Sequence, residues 1–447
     1  MSLLKTNQNL IVAGSKTCEV LDLLGEGGQG EVYLVSFEGK RLALKWYFKS
    51  FATPEQRAVL NDLILRGAPS ERFLWPVALV STARGGGLGY LMALRGEEFY
   101  GIPALLKGRI NPTFHALCSA GMQLADAYLQ LHSKGLCYRD ISLGNAFIEP
   151  NRGDILICDN DNVAVNKKGK ASILGTPRFI APEVIRGEAL PGTQTDLFSL
   201  SVLLFYFYML HHPFEGKLDS QVHCLDGFAM DELYGRNPVF IFDPNDQSNE
   251  PDPRHHRRVM AYWKLYPQFL RDLFVRAFTT GVQDPDARVR ESEWRSELAR
   301  VQDCIILCQN CGAENFFDPA APAGVYCWNP ECGHKVQVPC QLKIENRWVT
   351  LNHDRKIVKH HLDGTSYDFT CIVGKVVENP NARGMWGIKN VSNQKWVATF
   401  PDGTMRDVEP GKSVAIINGV KVSFGRVEGQ IVGQNAAAAG YKQGAAR

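Results

Sequence analysis

Asp140, Asn145 and Asp159 lie in two short polar runs, Tyr138-Arg139-Asp140-Ile141-Ser142-Leu143-Gly144-Asn145 and Cys158-Asp159-Asn160-Asp161. Two carboxylates and an amide so spaced suit phosphoryl transfer. One carboxylate orients an attacking hydroxyl, while further oxygen donors hold a divalent cation on the phosphates. Asp140 is the candidate for the first task, Asn145 and Asp159 for the second. Lys45, in Ala43-Leu44-Lys45, supplies a positive charge for phosphate oxygens. Gly25, Gly27, Gly28 and Gly30 form a Gly-x-Gly-x-x-Gly run, where missing side chains let backbone N–H groups approach an anion. A second set is Cys308, Cys311, Cys327 and Cys332. Two close cysteine pairs place four thiolates tetrahedrally around Zn²⁺, and a site so closed is structural. Cys304 and Cys340 lie nearby, and His334 could replace one thiolate, though each reads first as a bystander.

Strands and helices must carry these residues. The glycine run is followed by Glu31–Val35, a strand and not a helix, which argues against a dinucleotide-binding fold. Residues 17–98 are strand-rich, with one helix signal at Thr53-Pro54-Glu55-Gln56: a Thr cap, Pro at the first helical position and Gln completing a capping box. From about residue 112 the pattern turns helical, with apolar-periodic stretches at Phe114–Lys134 and Leu197–Leu210. Asp243–His256 is a polar loop. From 344 onward, β-formers alternate at Trp348–Leu351, Trp396–Phe400, Ser413–Ile417 and Val420–Phe424. Asp402-Gly403, Pro410-Gly411 and Asn418-Gly419 separate them, which predicts a small β-sandwich or barrel. The expected order is an N-terminal segment (1–16), a β-rich lobe (17–98), a helical lobe (99–300), a zinc ribbon (301–343), a β domain (344–432) and a disordered Ala/Gly-rich tail (433–447).

Composition sets the outer bounds. The 447 residues suffice for several domains, and 45% hydrophobic with 21% charged residues is the profile of a soluble globular protein. A net charge of +2 leaves no electrostatic footprint for nucleic acid. The N-terminus lacks the apolar core of a signal peptide, and Leu197–Leu210 is too short to cross a bilayer. Of 12 cysteines, four cluster at metal-ligand spacing and the others are scattered, a cytoplasmic pattern. Neither nucleic-acid nor membrane partners are expected.

The ordered series of glycine run, Lys45, Tyr138-Arg139-Asp140, Asn145, Asp159, Ala181-Pro182-Glu183, Asp196 and Asp284-Pro285-Asp286-Ala287-Arg288 resembles the eukaryotic-type Ser/Thr protein kinases of bacteria over about residues 17–300. The resemblance implies a two-lobed α+β kinase fold. It also implies ATP with Mg²⁺ or Mn²⁺ as cofactors, protein substrates, and γ-phosphate transfer to Ser/Thr hydroxyls with autophosphorylation. By the same resemblance, Lys45, Asp140, Asn145 and Asp159 are catalytic, and Asn145 and Asp159 hold the metal. Val32 and Ala43 line the adenine pocket beside Tyr90–Arg95, with the backbones of Ala93 and Arg95 as hinge contacts. Met92 is either the residue guarding that pocket or plain core. Glu183 is expected to pair with Arg288 in the interior. The partner of Lys45 in the helix after Thr53 stays open between Glu55, Asn61 and Asp62. Arg139 beside Asp140 suggests control by phosphorylation, at Ser172 or Thr176, with Thr176 placed to contact Asp140.

Three positions depart from the family pattern: Tyr138 stands for His, Ser142 for Lys, and Asn160-Asp161 for Phe-Gly. They leave a pseudokinase scaffold as the alternative, and Asp161 as a possible additional metal ligand. Residues 345–432 weakly resemble the forkhead-associated β-sandwich, around Trp386–Ser392, Trp396, Gly403, Val408–Gly411, Ile417–Gly419 and Phe424-Gly425. Its phosphothreonine-reading elements do not align, and Arg355, His360 and His361 stand at the wrong spacing, so docking is the expected role. The combination resembles kinases of tellurium-resistance-type operons. That implies a bacterial signalling or stress-response setting, with a cognate phosphatase and a von Willebrand-type protein as partners.

Overall fold

A computed structural model of the chain describes residues 2–83, 85–166, 175–222, 224–320 and 324–433. The chain divides into two compact units, residues 1–263 with 271–296, and residues 264–270 with 297–447.

In the first unit, six strands close into a barrel: β1 (Asn9–Val12), β2 (Lys16–Glu26), β3 (Gly30–Phe37), β4 (Lys40–Tyr47), β5 (Ala78–Ser81) and β6 (Gly89–Ala93), in the order β1-β2-β3-β4-β6-β5. The sequence sets residues 1–16 apart as a segment, whereas Asn9–Val12 pairs with both β2 and β5 and completes the barrel. Leu10 and Val12 alternate into its core with Val20, Tyr33, Val35 and Leu44, the period of a half-buried strand. Helix α1 (Pro54–Arg66) begins at Thr53, whose hydroxyl accepts the Gln56 amide N–H at 3.1 Å. The reciprocal half of the expected capping box is missing, because the Gln56 side chain donates elsewhere, to the Tyr47 hydroxyl and the Asp161 carbonyl, both at 3.2 Å.

The rest of this unit is helical. Phe114–Ser133 and Thr193–Met209 form its centre, and every residue of the second helix from Thr195 to Met209 is buried. Phe205 packs edge-on against Phe240, Phe274 and Phe278. Glu183 and Arg288 form a bidentate pair, both bonds 2.8 Å, and Arg288 also donates to the carbonyls of Gly281 and Gln194. A buried pair satisfied on both sides in this way fixes two loops, since removing either partner strands a charge in the interior. Among the described residues, no helix is long and apolar enough to cross a membrane.

The second unit holds the cysteine cluster and a two-sheet sandwich. One sheet has six strands and the other four, and their inner faces share a core of Leu342, Ile344, Ile388, Trp396, Val422 and Ile431. Arg355 and His361 are buried together on Asp303, and His360 is buried as well. These cations and imidazoles are packing groups, not an open anion receptor.

A third buried carboxylate, Asp196, sets the loop carrying Asp140. It accepts the backbone N–H groups of Tyr138 (2.5 Å) and Arg139 (2.9 Å), and it meets His132 Nε2 at 3.1 Å. The other ring nitrogen of His132 reaches Glu291. Burial alone would favour neutral imidazole, but the Asp196 and Glu291 carboxylates outweigh it and push His132 up to about 9. A pKa raised in the fold adds stability that is complete below the unfolded value, near 6.5, and is lost as pH rises through about 9. Urea unfolding should therefore show wild type losing about 3 kcal/mol between those limits, while His132→Gln, weaker at low pH, shows no such loss. Parallel pH profiles for the two proteins would contradict a charged His132.

Candidate active site

The site lies between the barrel and the helices of the first unit. The glycine run occupies the β2–β3 hairpin, closed by Gly27 N–H on the Gly30 carbonyl at 2.9 Å. A Cβ on Gly25 or Gly28 would meet no atom within 4 Å, so these glycines leave the backbone open where an anion could approach. Gly30 has a different reason: its Cβ would stand 2.1 Å from the Trp46 carbonyl oxygen. Val32 pairs with Lys45 between β3 and β4, and Ala43 with Met92 between β4 and β6, which brings the expected adenine-pocket residues onto adjacent strands. Met92 is buried in the cluster holding Ala43 and Tyr90. Ala93 ends β6 in an exposed position, and Arg95 lies over the Phe147 ring at 4.6 Å.

Lys45 is buried, and its Nζ donates to Asp161 Oδ2 at 2.9 Å, Asp159 Oδ1 at 3.0 Å and Gln29 Oε1 at 3.2 Å. None of Glu55, Asn61 and Asp62 serves as its partner here. Glu55 is exposed, and Asp62 pairs with Arg66 one turn on. The physical reason is competition at close range. Asp161 arrives on the 3-10 turn Asn160–Asn162 directly beneath Lys45, while the acids of α1 stay on its solvent side. Burial draws Lys45 toward its neutral form, but Asp161, and after it Asp159, outweighs this and holds the ammonium above its ordinary value. Tyr47, two residues along the same strand face, donates to Asp161, and burial together with that carboxylate drives its phenol far upward.

The carboxylate-bearing loop is equally well fixed. Asp140 accepts the Thr176 hydroxyl at 2.6 Å, the contact expected of Thr176, and the Asn145 amide at 3.2 Å. Burial lifts its pKa, Thr176 and Asn145 lower it, and Asp159 adds a further rise, for a net increase. Asn145 also donates to the Asp140 carbonyl at 2.9 Å, which leaves its own side-chain oxygen as the donor for a cation. Asp159 adopts a left-handed backbone (φ 54°), and its side chain is 44% exposed, so it can reach a ligand in the cleft. Tyr138 is buried and its hydroxyl bonds to the Cys158 carbonyl, tying the two polar runs together. Asn160 is buried too, donating to the carbonyls of Leu74 and Ile157. Ser142 is buried. Thr176 lies within the described residues and Ser172 outside them.

Sequence reasoning missed Gln29, Tyr47 and Gln56 in this site, and His132 behind it. Tyr47 was within reach of it, because period-two alternation puts it on the same face as Lys45. Gln56 was hidden by the capping role assigned to it.

In the second unit, the ligand atoms of Cys308, Cys311, Cys327 and Cys332 all lie within 4.8 Å of one another, as a tetrahedral zinc site requires. Among the described residues this is the one group of three or more His, Cys, Asp and Glu so arranged. The donors come from two strand-and-turn pieces, with Asn310 donating to Cys332 Sγ at 3.3 Å. Nearby hydrogen bonds of this kind orient thiolates.

Residues 106–256 match the protein kinase domain family, and residues 325–371 a family described as a CHCC zinc finger. The second match contains Cys327 and Cys332 but begins after Cys308 and Cys311, which complete the donor set in the structure. Similar proteins include the DNA damage-responsive serine/threonine-protein kinase RqkA of Deinococcus radiodurans, 28% identical over 225 residues, which is 46% of this chain and 31% of that protein. Another is the serine/threonine-protein kinase pkn2 of Myxococcus xanthus, 28% identical over 228 residues, 44% of this chain and 25% of that protein. CBL-interacting protein kinase 3 of Oryza sativa is 36% identical over 100 residues, 21% of this chain and 22% of its own length. The chain thus spans less than a third of the length of each of these relatives. A barrel followed by a helical body, with the match over residues 106–256, shows that this chain contains a protein kinase domain.

Proposed function

We propose that the chain is an ATP-dependent Ser/Thr protein kinase that also phosphorylates itself. The observation that carries this is the convergence of a buried Lys45 on Asp159, with Asp140 held by Thr176 and Asn145 beside them. In this reading Lys45 and the open glycine hairpin hold the phosphates of ATP. Asn145 and Asp159 would hold magnesium or manganese, which when bound neutralises charge on the transferring phosphoryl group. Asp140 accepts the hydrogen bond of the substrate hydroxyl and takes its proton as the oxygen attacks the γ-phosphorus and the bond to ADP breaks. Its raised pKa favours that acceptance.

Similarity to bacterial kinases supports a bacterial signalling or stress-response setting, with protein substrates. A cognate phosphatase and a von Willebrand-type partner follow from the operon resemblance. The free cysteines outside the cluster support a cytoplasmic setting. We read the four-cysteine cluster as structural zinc, and the sandwich, weakly similar to forkhead-associated domains, as a docking domain. The buried Ser142, where the family carries Lys, favours a second reading as a nucleotide-binding scaffold.

Incubated with Mg-ATP, the purified full chain should incorporate phosphate, and Asp140→Asn and Asp159→Ala should each reduce incorporation by about a hundredfold or more. Nucleotide binding without any transfer by wild type would select the scaffold instead. Metal analysis of the same protein should find about one zinc per chain, with Cys311→Ser lowering both zinc content and melting temperature. Zinc-free protein that melts identically would contradict a structural metal.

A further inference from the structure

The three acceptors around Lys45 are unequal. The side chain of Asp159 is 44% exposed, whereas that of Asp161 is fully buried. Asp161 Oδ2 takes both the Lys45 ammonium at 2.9 Å and the Tyr47 hydroxyl. Its backbone carbonyl accepts Gln56 Nε2 at 3.2 Å, and the same amide nitrogen reaches Tyr47 Oη. The hydrogen-bonded link from α1 to this centre, through Gln56, is therefore neutral. Asp161 Oδ1 is buried without a hydrogen-bond partner, a second acceptor on the same carboxylate that Lys45 can use as it shifts toward phosphate.

We propose that Asp161 is the positioning residue for Lys45, taking the place of an acidic residue of the helix after β4, and that it is not a metal ligand. This rests on the kinase reading and adds to it. When Asp159 turns toward a cation on the phosphates, Lys45 keeps a counter-charge that cannot leave, since Asp161 is held by its turn and by Tyr47. Helix α1 then acts on the site through the Gln56 amide and the Tyr47 hydroxyl. Its acids, Glu55 and Asp62, have no part in nucleotide binding.

The test compares wild type, Asp161→Asn and the double variant Glu55→Gln/Asp62→Asn as full-length chains. The readouts are kcat and KM for ATP with dephosphorylated casein as acceptor, the Mg²⁺ concentration for half-maximal rate, and binding of a fluorescent ATP analogue without metal. Asp161→Asn should lower kcat/KM for ATP by about tenfold or more and weaken metal-free binding, with the Mg²⁺ requirement unchanged. The double variant should stay within about twofold of wild type. A rise in the Mg²⁺ requirement of Asp161→Asn, with metal-free binding intact, would make Asp161 a metal ligand and overturn the proposal. A fall of more than about fivefold in the double variant would overturn it too, and that result decides the matter if Asp161→Asn fails to fold. If wild type transfers no phosphate, the kinase reading fails, while metal-free binding by the same variants still judges Asp161.

Discussion

A lysine ammonium cannot be taken out of water without a counter-charge at hand, and the cleft of this protein is organised around that constraint. Lys45 sits on the face of its barrel strand opposite to Leu44, beside the cluster in which Ala43, Tyr47 and Met92 exclude solvent. Its charge survives there because the Asp159–Asp161 turn brings two carboxylates to within 3.0 Å. One is buried and permanent, while the other faces the cleft and can be spent on a ligand. The left-handed backbone at Asp159 is part of the same device, since it lets acids two residues apart approach one ammonium from two directions.

The same logic recurs behind the loop that carries Asp140. Asp196 is buried with the N–H groups of Tyr138 and Arg139 on it, and a charged His132 shares it with Glu291. Arg139 is held at φ 72°, a conformation that L residues rarely adopt. The Asp196 clamp supplies two of the contacts that keep it there. Tyr138 then joins this loop to the next through the Cys158 carbonyl. Tyr138, where the family carries His, is anchored at both ends: its hydroxyl reaches a backbone acceptor and its ring packs edge-on against Tyr128. Fixed loops on a rigid helical body are what a site needs if it must hold two substrates in register.

Much of this was legible from residue type and spacing. Asp140, Asn145, Asp159 and Lys45 occur in a fixed order, and the thiolate pairs have ligand spacing, so their grouping could be read before any fold was known. The Glu183–Arg288 pair and the Thr176–Asp140 contact could be read the same way. What could not be read was which acid answers Lys45. Choosing among Glu55, Asn61 and Asp62 requires the rotation of α1 about its own axis, and helical periodicity gives that only when an apolar face is pronounced. In α1 only Leu60 and Leu63 are buried, so the face was ambiguous. The role of Asn9–Val12 was hidden for a related reason, because its second partner, β5, lies far along the chain. The role of Gln56 was masked because a side chain that satisfies a local cap rule can serve a distant hydroxyl instead.

On the proposed arrangement, Asp161 stays with Lys45 while Asp159 serves the metal. A crystal structure of the full chain with Mg²⁺ and a non-hydrolysable ATP analogue tests it most directly. Lys45 Nζ should remain within hydrogen-bond distance of Asp161, with Asp159 and Asn145 on the metal and Glu55 and Asp62 in solvent. Asp161 on the metal, with Lys45 paired to an acid of α1, would contradict it.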